Sequence, residues 1–278
     1  MFYLQLRNEL WKLFGKKRTY IGFGAFLLAQ TLIVLVFRYS NASRSLIRQL
    51  ENSGYDADQF ITSLTIATVM LFPIAYVLLP LYTSLVGGDL VAKEAEDGTL
   101  RMILSRPISR VRLLLVKWVA GAIFSALLAL ALGVMGILFA AILFKRGGLF
   151  VFVPGEVFGV FDWSGGLGRY AFAHALLAVK AVTVTGLAFM FSCFNVKPAA
   201  ATILSLSFVF VSFVLMQIPF FHDLQPWFLT YHLNIWQVAF VQPVPAWRLG
   251  ESLSILLGFN LTFLIIGCAA FQMRDIKS

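Results

Sequence analysis

The residues able to do chemistry are few and far apart. Glu94, Glu96 and Asp97 sit with Lys93 and Arg101 in one charged segment; His222 and His232 flank a polar stretch far downstream; His174 and Lys180 lie inside an apolar run. Carboxylates and a histidine are the residue types that share general-base work in a hydrolase. A metal site would need Cys, His or carboxylate ligands at short spacing, and the three histidines do not show it. Cys193 and Cys268 are the only cysteines, both within apolar segments, so neither a disulfide nor a metal framework is indicated. No G-x-x-x-x-G-K-[ST] phosphate loop occurs, since Gly15-Lys16-Lys17 lacks the preceding glycine. What remains is residues 93–110, Lys-Glu-Ala-Glu-Asp-Gly-Thr-Leu-Arg-Met-Ile-Leu-Ser-Arg-Pro-Ile-Ser-Arg, the most internally organised polar segment of the chain.

The elements that carry it belong in a bilayer. Hydrophobic residues make up 60% of the 278 and charged residues 13%, a composition outside the range of soluble domains. A spanning helix needs about 20 mainly apolar residues. Residues 19–37, 60–88, 113–144, 170–196, 198–221 and 250–273 supply them, giving an all-α integral membrane protein with six transmembrane helices in one domain, 1–278. Residues 222–248 carry no Lys, Glu or similar charge besides Asp223 and Arg248, but Pro226, His232, Asn234, Gln237, Gln242, Pro243 and Pro245 make them too polar to face lipid. Trp227, Trp236 and Trp247 favour the headgroup level, so this stretch reads as an external re-entrant or interfacial hairpin before the last span.

Residues 1–18 plot as an amphipathic helix, with Phe2, Tyr3, Leu4, Leu6, Leu10, Trp11, Leu13 and Phe14 on one arc. Such a helix lies in the membrane interface, as a topogenic anchor or as an elbow bracing a partner. With six spans both termini share a side. Fourteen basic residues fall on that side: Arg7, Lys12, Lys16, Lys17, Arg18, Lys93, Arg101, Arg106, Arg110, Arg112, Lys117, Lys197, Arg274 and Lys277. Seven fall opposite: Arg38, Arg44, Arg48, Lys145, Arg146, Arg169 and Arg248. The positive-inside tendency therefore puts both termini in the cytoplasm. The net charge of +9 is accounted for by topology and anionic headgroups rather than by nucleic acid. Eighteen polar and amphipathic residues precede the first apolar run, so that span is expected to stay as an anchor rather than be cleaved.

Local rules give residues 89–112 a shape. Asp89 to Asp97 continues the second helix into water, and Gly98 is a natural stop. Thr99 is placed to cap a short helix over Leu100 to Ser105, with Leu100, Ile103 and Leu104 on one face. Arg106 precedes Pro107 and is pushed from helical angles. Ser109 caps the next helix, with Ile108 and Leu113 as a hydrophobic staple. A knuckle of this kind suits docking into a groove of a soluble protein, although the same charges would also serve a plain solvated turn.

The segment resembles the loop after the second span in membrane subunits of ABC-2 type exporters, with Glu94, Glu96, Gly98, Thr99, Leu100, Leu104, Ser105, Pro107, Ile108, Ser109, Arg110, Leu114 and Lys117 at the matching places. The resemblance implies a dimeric permease in a bacterial cytoplasmic (inner) membrane, paired with a second copy or a related permease. It implies a separate ABC ATP-binding subunit that holds ATP and Mg, so that this chain binds no cofactor and is not itself an enzyme. On that pattern the coupling loop, Glu94, Glu96, Gly98, Thr99, Leu100, Ile103, Leu104, Ser105, Pro107 and Arg110, contacts the ATPase subunit. Membrane lipid is a further partner, and periplasmic or other envelope proteins stay open.

Lys180 is the one charge deep in a span, where a lysine costs about 2.5–3.5 kcal/mol and should face protein or a wet cavity. It is a candidate for the translocation path, or else a snorkelling or helix-pairing lysine; Gln30 and Gln217 are weaker path candidates, equally able to join helices. The mostly Phe, Leu and Val walls lead us to expect an amphipathic or hydrophobic substrate. Two other functions fit parts of the chain. One is a non-transporting membrane scaffold for a soluble partner. The other is an intramembrane hydrolase, because Glu96-Asp97-x-x-x-Arg101 and Phe228-x-x-x-His232 echo prenyl-protein-type membrane proteases; the expected topology puts Glu96 and His232 on opposite sides of the bilayer.

Overall fold

The computed structural model describes residues 2–40, 42–52, 54, 57–105, 108–153 and 157–274. Among these residues six helices are long and apolar enough to cross a membrane: Thr19–Tyr39, Ser63–Glu96, Arg110–Leu143, Trp163–Cys193, Pro198–Gln217 and Ala246–Met273. The α-helices and strands of the described residues are, in chain order, α1 (Phe2–Gly15), α2 (Lys17–Tyr39), α3 (Ala42–Asn52), α4 (Ala57–Phe60), α5 (Ser63–Pro73), α6 (Leu79–Glu96), α7 (Thr99–Leu104), α8 (Arg110–Leu143), strands β1 (Leu149–Val153) and β2 (Val157–Phe161), α9 (Trp163–Cys193), α10 (Pro198–Gln217), α11 (Leu229–Leu233) and α12 (Ala246–Met273).

The helix α9 is the axis of the bundle. It packs against α6, α8, α10 and α12 and is the most buried of the six long helices, while α2, α10 and α12 leave most of their apolar surface outside. Because lipid is as apolar as a leucine, helix contact here depends on close approach and hydrogen bonds rather than on hydrophobicity. Both are present. A side chain at Gly87 would run into the Thr185 carbonyl and Ala188 of α9. Ser125 and Thr185 hydroxyls meet at 2.6 Å, Ser84 and Ser205 at 3.1 Å, and Asn260 donates to Thr183 at 2.8 Å.

The second long helix is not uniform. Between α5 and α6 five residues, Ile74–Leu78, form a π segment. Pro80 has no N–H to offer the Tyr76 carbonyl and its ring crowds that oxygen, a conflict that a wider turn relieves. The π segment carries Tyr76, which meets Lys180 of α9 and Gln237 after α11.

Two departures from the sequence expectation concern the end of the bundle remote from α1. The all-α class omits an antiparallel hairpin, β1 to β2, in register from Leu149 opposite Phe161 to Val153 opposite Val157. Its runs of Val and Phe on either side of Pro154-Gly155 carried the strand signal. The hairpin is pinned to α5, where the Thr62 hydroxyl donates to the Gly148 carbonyl at 2.7 Å and Thr65 accepts from the Phe150 N–H at 3.0 Å. Residues 222–248 form a 3-10 turn at Pro219–Trp227, α11, and a second 3-10 turn at Ile235–Phe240. Trp227 and Trp247 are exposed, but Trp236, expected at the headgroup level with them, is fully buried against Phe72 and Tyr76. Its role is to fill the core beneath the π segment.

The α6–α9 contact yields a first prediction. Gly87→Val should lower the melting temperature of the detergent-solubilised protein, since overpacking costs about 1–3 kcal/mol. Gly258→Val, on an open face of α12, should leave it nearly unchanged.

Candidate functional site

The charged segment folds into a short helix, α7, set across the end of α6. Gly98 adopts φ +73°, a left-handed value that a glycine takes without strain. Thr99 was expected to cap α7. Instead Gly98 occupies the cap position, and the Thr99 hydroxyl donates back to the Glu94 carbonyl at 3.2 Å, closing the end of α6. Ser109 caps α8 as expected, accepting from the Arg112 N–H at 3.3 Å.

The apolar side of α7 faces the protein's own core. Leu100 is 2% exposed, and Ile103, Leu104 and Ile108 pack against the same cluster. The outward side is Arg101, Met102, which is 66% exposed, and Ser105, beside exposed Glu96, Asp97 and Gly98. Any partner that touches α7 therefore meets a methionine between charges, not the leucine face. Glu96 pairs with Lys93 at 2.8 Å. Pro107 lies outside the described residues.

Glu94 turns inward. Its Oε1 lies 2.7 Å from Lys117 Nζ and 3.3 Å from Lys12 Nζ. Glu9 completes a square, with Oε2 at 3.0 Å from Lys117 and Oε1 at 2.6 Å from Lys12. Three elements meet there: α1 contributes Glu9 and Lys12, the end of α6 Glu94, and the foot of α8 Lys117. Lys117 is 1% exposed, and a charge so placed must be met by opposite charge from the protein.

The groups on α1 titrate accordingly. Burial alone would raise the Glu9 carboxyl, but Lys117 and Lys12 outweigh it and hold Glu9 below the usual carboxylate range. Burial alone would lower the Lys12 ammonium, and the hydrogen bond and charge of Glu9, with Glu94, outweigh that and raise it. Glu9 therefore contributes stability above the ordinary glutamate value of about 4.3, lost as pH falls through its lowered folded value; Lys12 contributes below about 10.4, lost as pH rises through its raised value.

Further cations stitch the same end. The Arg110 guanidinium donates to the carbonyls of Phe271, Gln272 and Arg274, at 3.4, 3.1 and 3.2 Å, where the negative end of the α12 dipole lies. Arg112 donates to Gln5 of α1 at 3.1 Å, and Arg274 to the Phe194 carbonyl at 3.4 Å.

The other candidate residues are not gathered together. Lys180 is buried in α9 beside Asn234 and Tyr76. Gln30 is buried on α2, donating to the Leu132 carbonyl at 3.1 Å, and lines a void of only about 10 Å3 with Tyr170 and His174. Gln217 is exposed at the last turn of α10. The carboxylates and His232 are also apart. Gln237, five residues beyond His232, bonds Tyr76 at 2.6 Å, and Tyr76 precedes Glu96 by twenty helical residues, about 30 Å at 1.5 Å per residue. His232 itself is held between Ser252 at 3.0 Å and the Pro226 carbonyl at 2.8 Å.

Residues 16–276 match the model of a family described as the ABC-2 family transporter protein. The chain belongs to that family. It is also 23% identical over 244 residues, 82% of its own length and 71% of the other's, to a Bacillus subtilis (strain 168) protein named Uncharacterized protein YhcI. Family membership and six apolar helices make this ABC-2 chain a multi-pass membrane protein of transport.

Sequence reasoning missed the Glu9–Lys12 half of the square in this ABC-2 chain, although the i,i+3 spacing was visible. A second prediction follows from the square. Lys117→Met removes the buried partner of two carboxylates and should cost about 3–5 kcal/mol. Glu9→Gln leaves Lys117 with Glu94 and should cost less. Melting temperature and tryptic cleavage at Arg7 or Lys12 measure both; the wild-type tether should hold from pH 5 to 9, loosen below about pH 4 as Glu9 is protonated, and loosen again only above the ordinary lysine value of about 10.4 as Lys12 loses its proton.

Proposed function

We propose that this chain is the permease subunit of an ATP-driven exporter, working as a pair and coupled to separate nucleotide-binding subunits through α7. The observation that carries the reading is the mounting of α7: an outward Arg101–Met102–Ser105 face on a knuckle whose base is ion-paired to α1 and α8. A plain turn between two spans needs only a few residues, and would need no such bracing.

In this reading α1 is the elbow helix in the cytoplasmic interface, both termini are cytoplasmic, and residues 222–248 form the external re-entrant lid. ATP and Mg are held by the partner subunit. Closure of two such subunits pushes on Arg101 to Ser105. The load passes through Glu94–Lys117 into α6 and α8, and through Arg110 into the end of α12. The spans then tilt as rigid bodies to open an outward path. Dimerisation uses the apolar faces that α2 and α10 leave uncovered, with Leu204, Phe208 and Val211 exposed on α10; the second permease is the same chain or a related one.

The test uses outward residues, because Leu100 belongs to the core. The tagged protein is purified in mild detergent from its own cells, beside an Arg101→Glu/Met102→Asp variant of unchanged melting temperature. The reading expects an ATPase to co-purify with the wild type and to fall at least about tenfold in the variant, roughly 1.4 kcal/mol of binding. An intact protein that brings down no ATPase in either sample contradicts it and favours the scaffold.

A further inference from the structure

Among the described residues two lysines are buried, in very different company. Lys117 faces two carboxylates. Lys180, 4% exposed and in the middle of α9, has Asn234 Oδ1 at 3.4 Å and the Tyr76 ring centre at 5.2 Å. Among the described residues no carboxylate lies within ion-pair distance of it. An amide oxygen and a ring face attract a cation without neutralising it. At membrane depth the described residues therefore leave that charge with no opposite charge beside it.

Lys180 borders a groove of about 570 Å3, within the 300–1,000 Å3 or so that holds a drug-sized molecule. Its polar floor is Lys180, Asn234 and Thr230, and its walls are apolar, with Leu206, Phe210 and Phe213 from α10. Exposed Val77, Leu81 and Phe210 border its open side. The floor is built rather than incidental. Gln237 donates to the Tyr76 hydroxyl at 2.6 Å, Trp236 packs against the Tyr76 ring at 6.1 Å, and the π segment supplies Tyr76 and Val77.

We propose that this groove binds an anionic amphiphile, its acid group at Lys180 and its apolar body along α10, and that this is the class of molecule exported. The assignment of the site to transport rests on the exporter reading above; the binding itself does not. A bound acid group supplies the charge that Lys180 lacks, while the hydrocarbon wall favours a body that an inorganic anion does not have. The acid can be carried by a membrane lipid or by a free single-chain molecule, since both present the same chemistry.

Binding is measured on the full chain in phosphatidylcholine nanodiscs by tryptophan quenching, Trp236 being the reporter beside Tyr76 and a Trp236→Phe variant the background. The probes are a chain-brominated fatty acid, the matching alkyl phosphate and the matching uncharged alcohol. The acid and the phosphate should bind saturably and at least about tenfold tighter than the alcohol. Lys180→Gln should abolish that preference and Lys180→Arg should retain it. Displacement of the acid by phosphatidylglycerol added to the discs assigns the site to a lipid-borne acid; failure to displace it assigns a free one, and both support the class. Equal binding of acid and alcohol in the unaltered protein overturns the proposal, and decides alone should Lys180→Gln not fold. No saturable binding, with Phe210→Cys copies cross-linking to one another, gives the groove to a second copy and also overturns it. Neither failure touches the ATPase co-purification, so the two readings fall separately.

Discussion

Lys117 stands at the foot of a 34-residue apolar helix with almost no access to water, and the rest of this end of the molecule is arranged around meeting its charge. An ammonium in that position is tolerable only where carboxylates reach it with good geometry. Glu94 reaches it from the end of α6 and Glu9 from α1, and Lys12 balances the excess negative charge. Because the lysine is met by one carboxylate from α1 and another from α6, α1, α6 and α8 are held in one relative placement. The α7 knuckle, continuous with α6 through Gly98, inherits that placement.

Elsewhere the bundle is held by contacts that carry little charge. Hydroxyl pairs between α6, α8, α9 and α10, together with glycines that let backbones approach, fix the helices where lipid offers no hydrophobic drive. The division is functional under the exporter reading. One end is rigid and ionic, able to receive a push. The middle is apolar, with Lys180 beside a groove and no carboxylate paired with it among the described residues, and the far end is a mixture of hairpin and short helical turns.

Length and composition made the six long helices legible, because a bilayer demands about 20 apolar residues at a time and few other structures do. The stop at Gly98 and the cap at Ser109 were equally legible, being local backbone rules. The rotation of α7 was not: Leu100, Ile103 and Leu104 share a face in either orientation, and only the bundle decides that this face turns inward. For the same reason Glu94 reads as a docking carboxylate until the foot of α8 comes beside it. The β-hairpin was overlooked for a different cause, since Leu149 to Phe161 is apolar enough to be passed over as a loop between spans although its Val and Phe runs flank a Pro-Gly pair in the sequence. Lys180 stood out in the sequence by cost alone, but its setting depends on Tyr76, Asn234 and a π segment that no periodicity shows.

The claim that the ionic square sets the placement of the knuckle is tested most directly by reversing it. Glu9→Lys with Lys12→Glu, and Glu94→Lys with Lys117→Glu, each turn an alternating square into one with like charges adjacent. All four changes together restore the alternation. Thermal stability of the three variants and the parent, measured side by side, gives the coupling as a departure from additivity. The account predicts that each double reversal is markedly destabilised and that the quadruple reversal recovers most of the parent stability. A quadruple variant as unstable as the two doubles added together would contradict it.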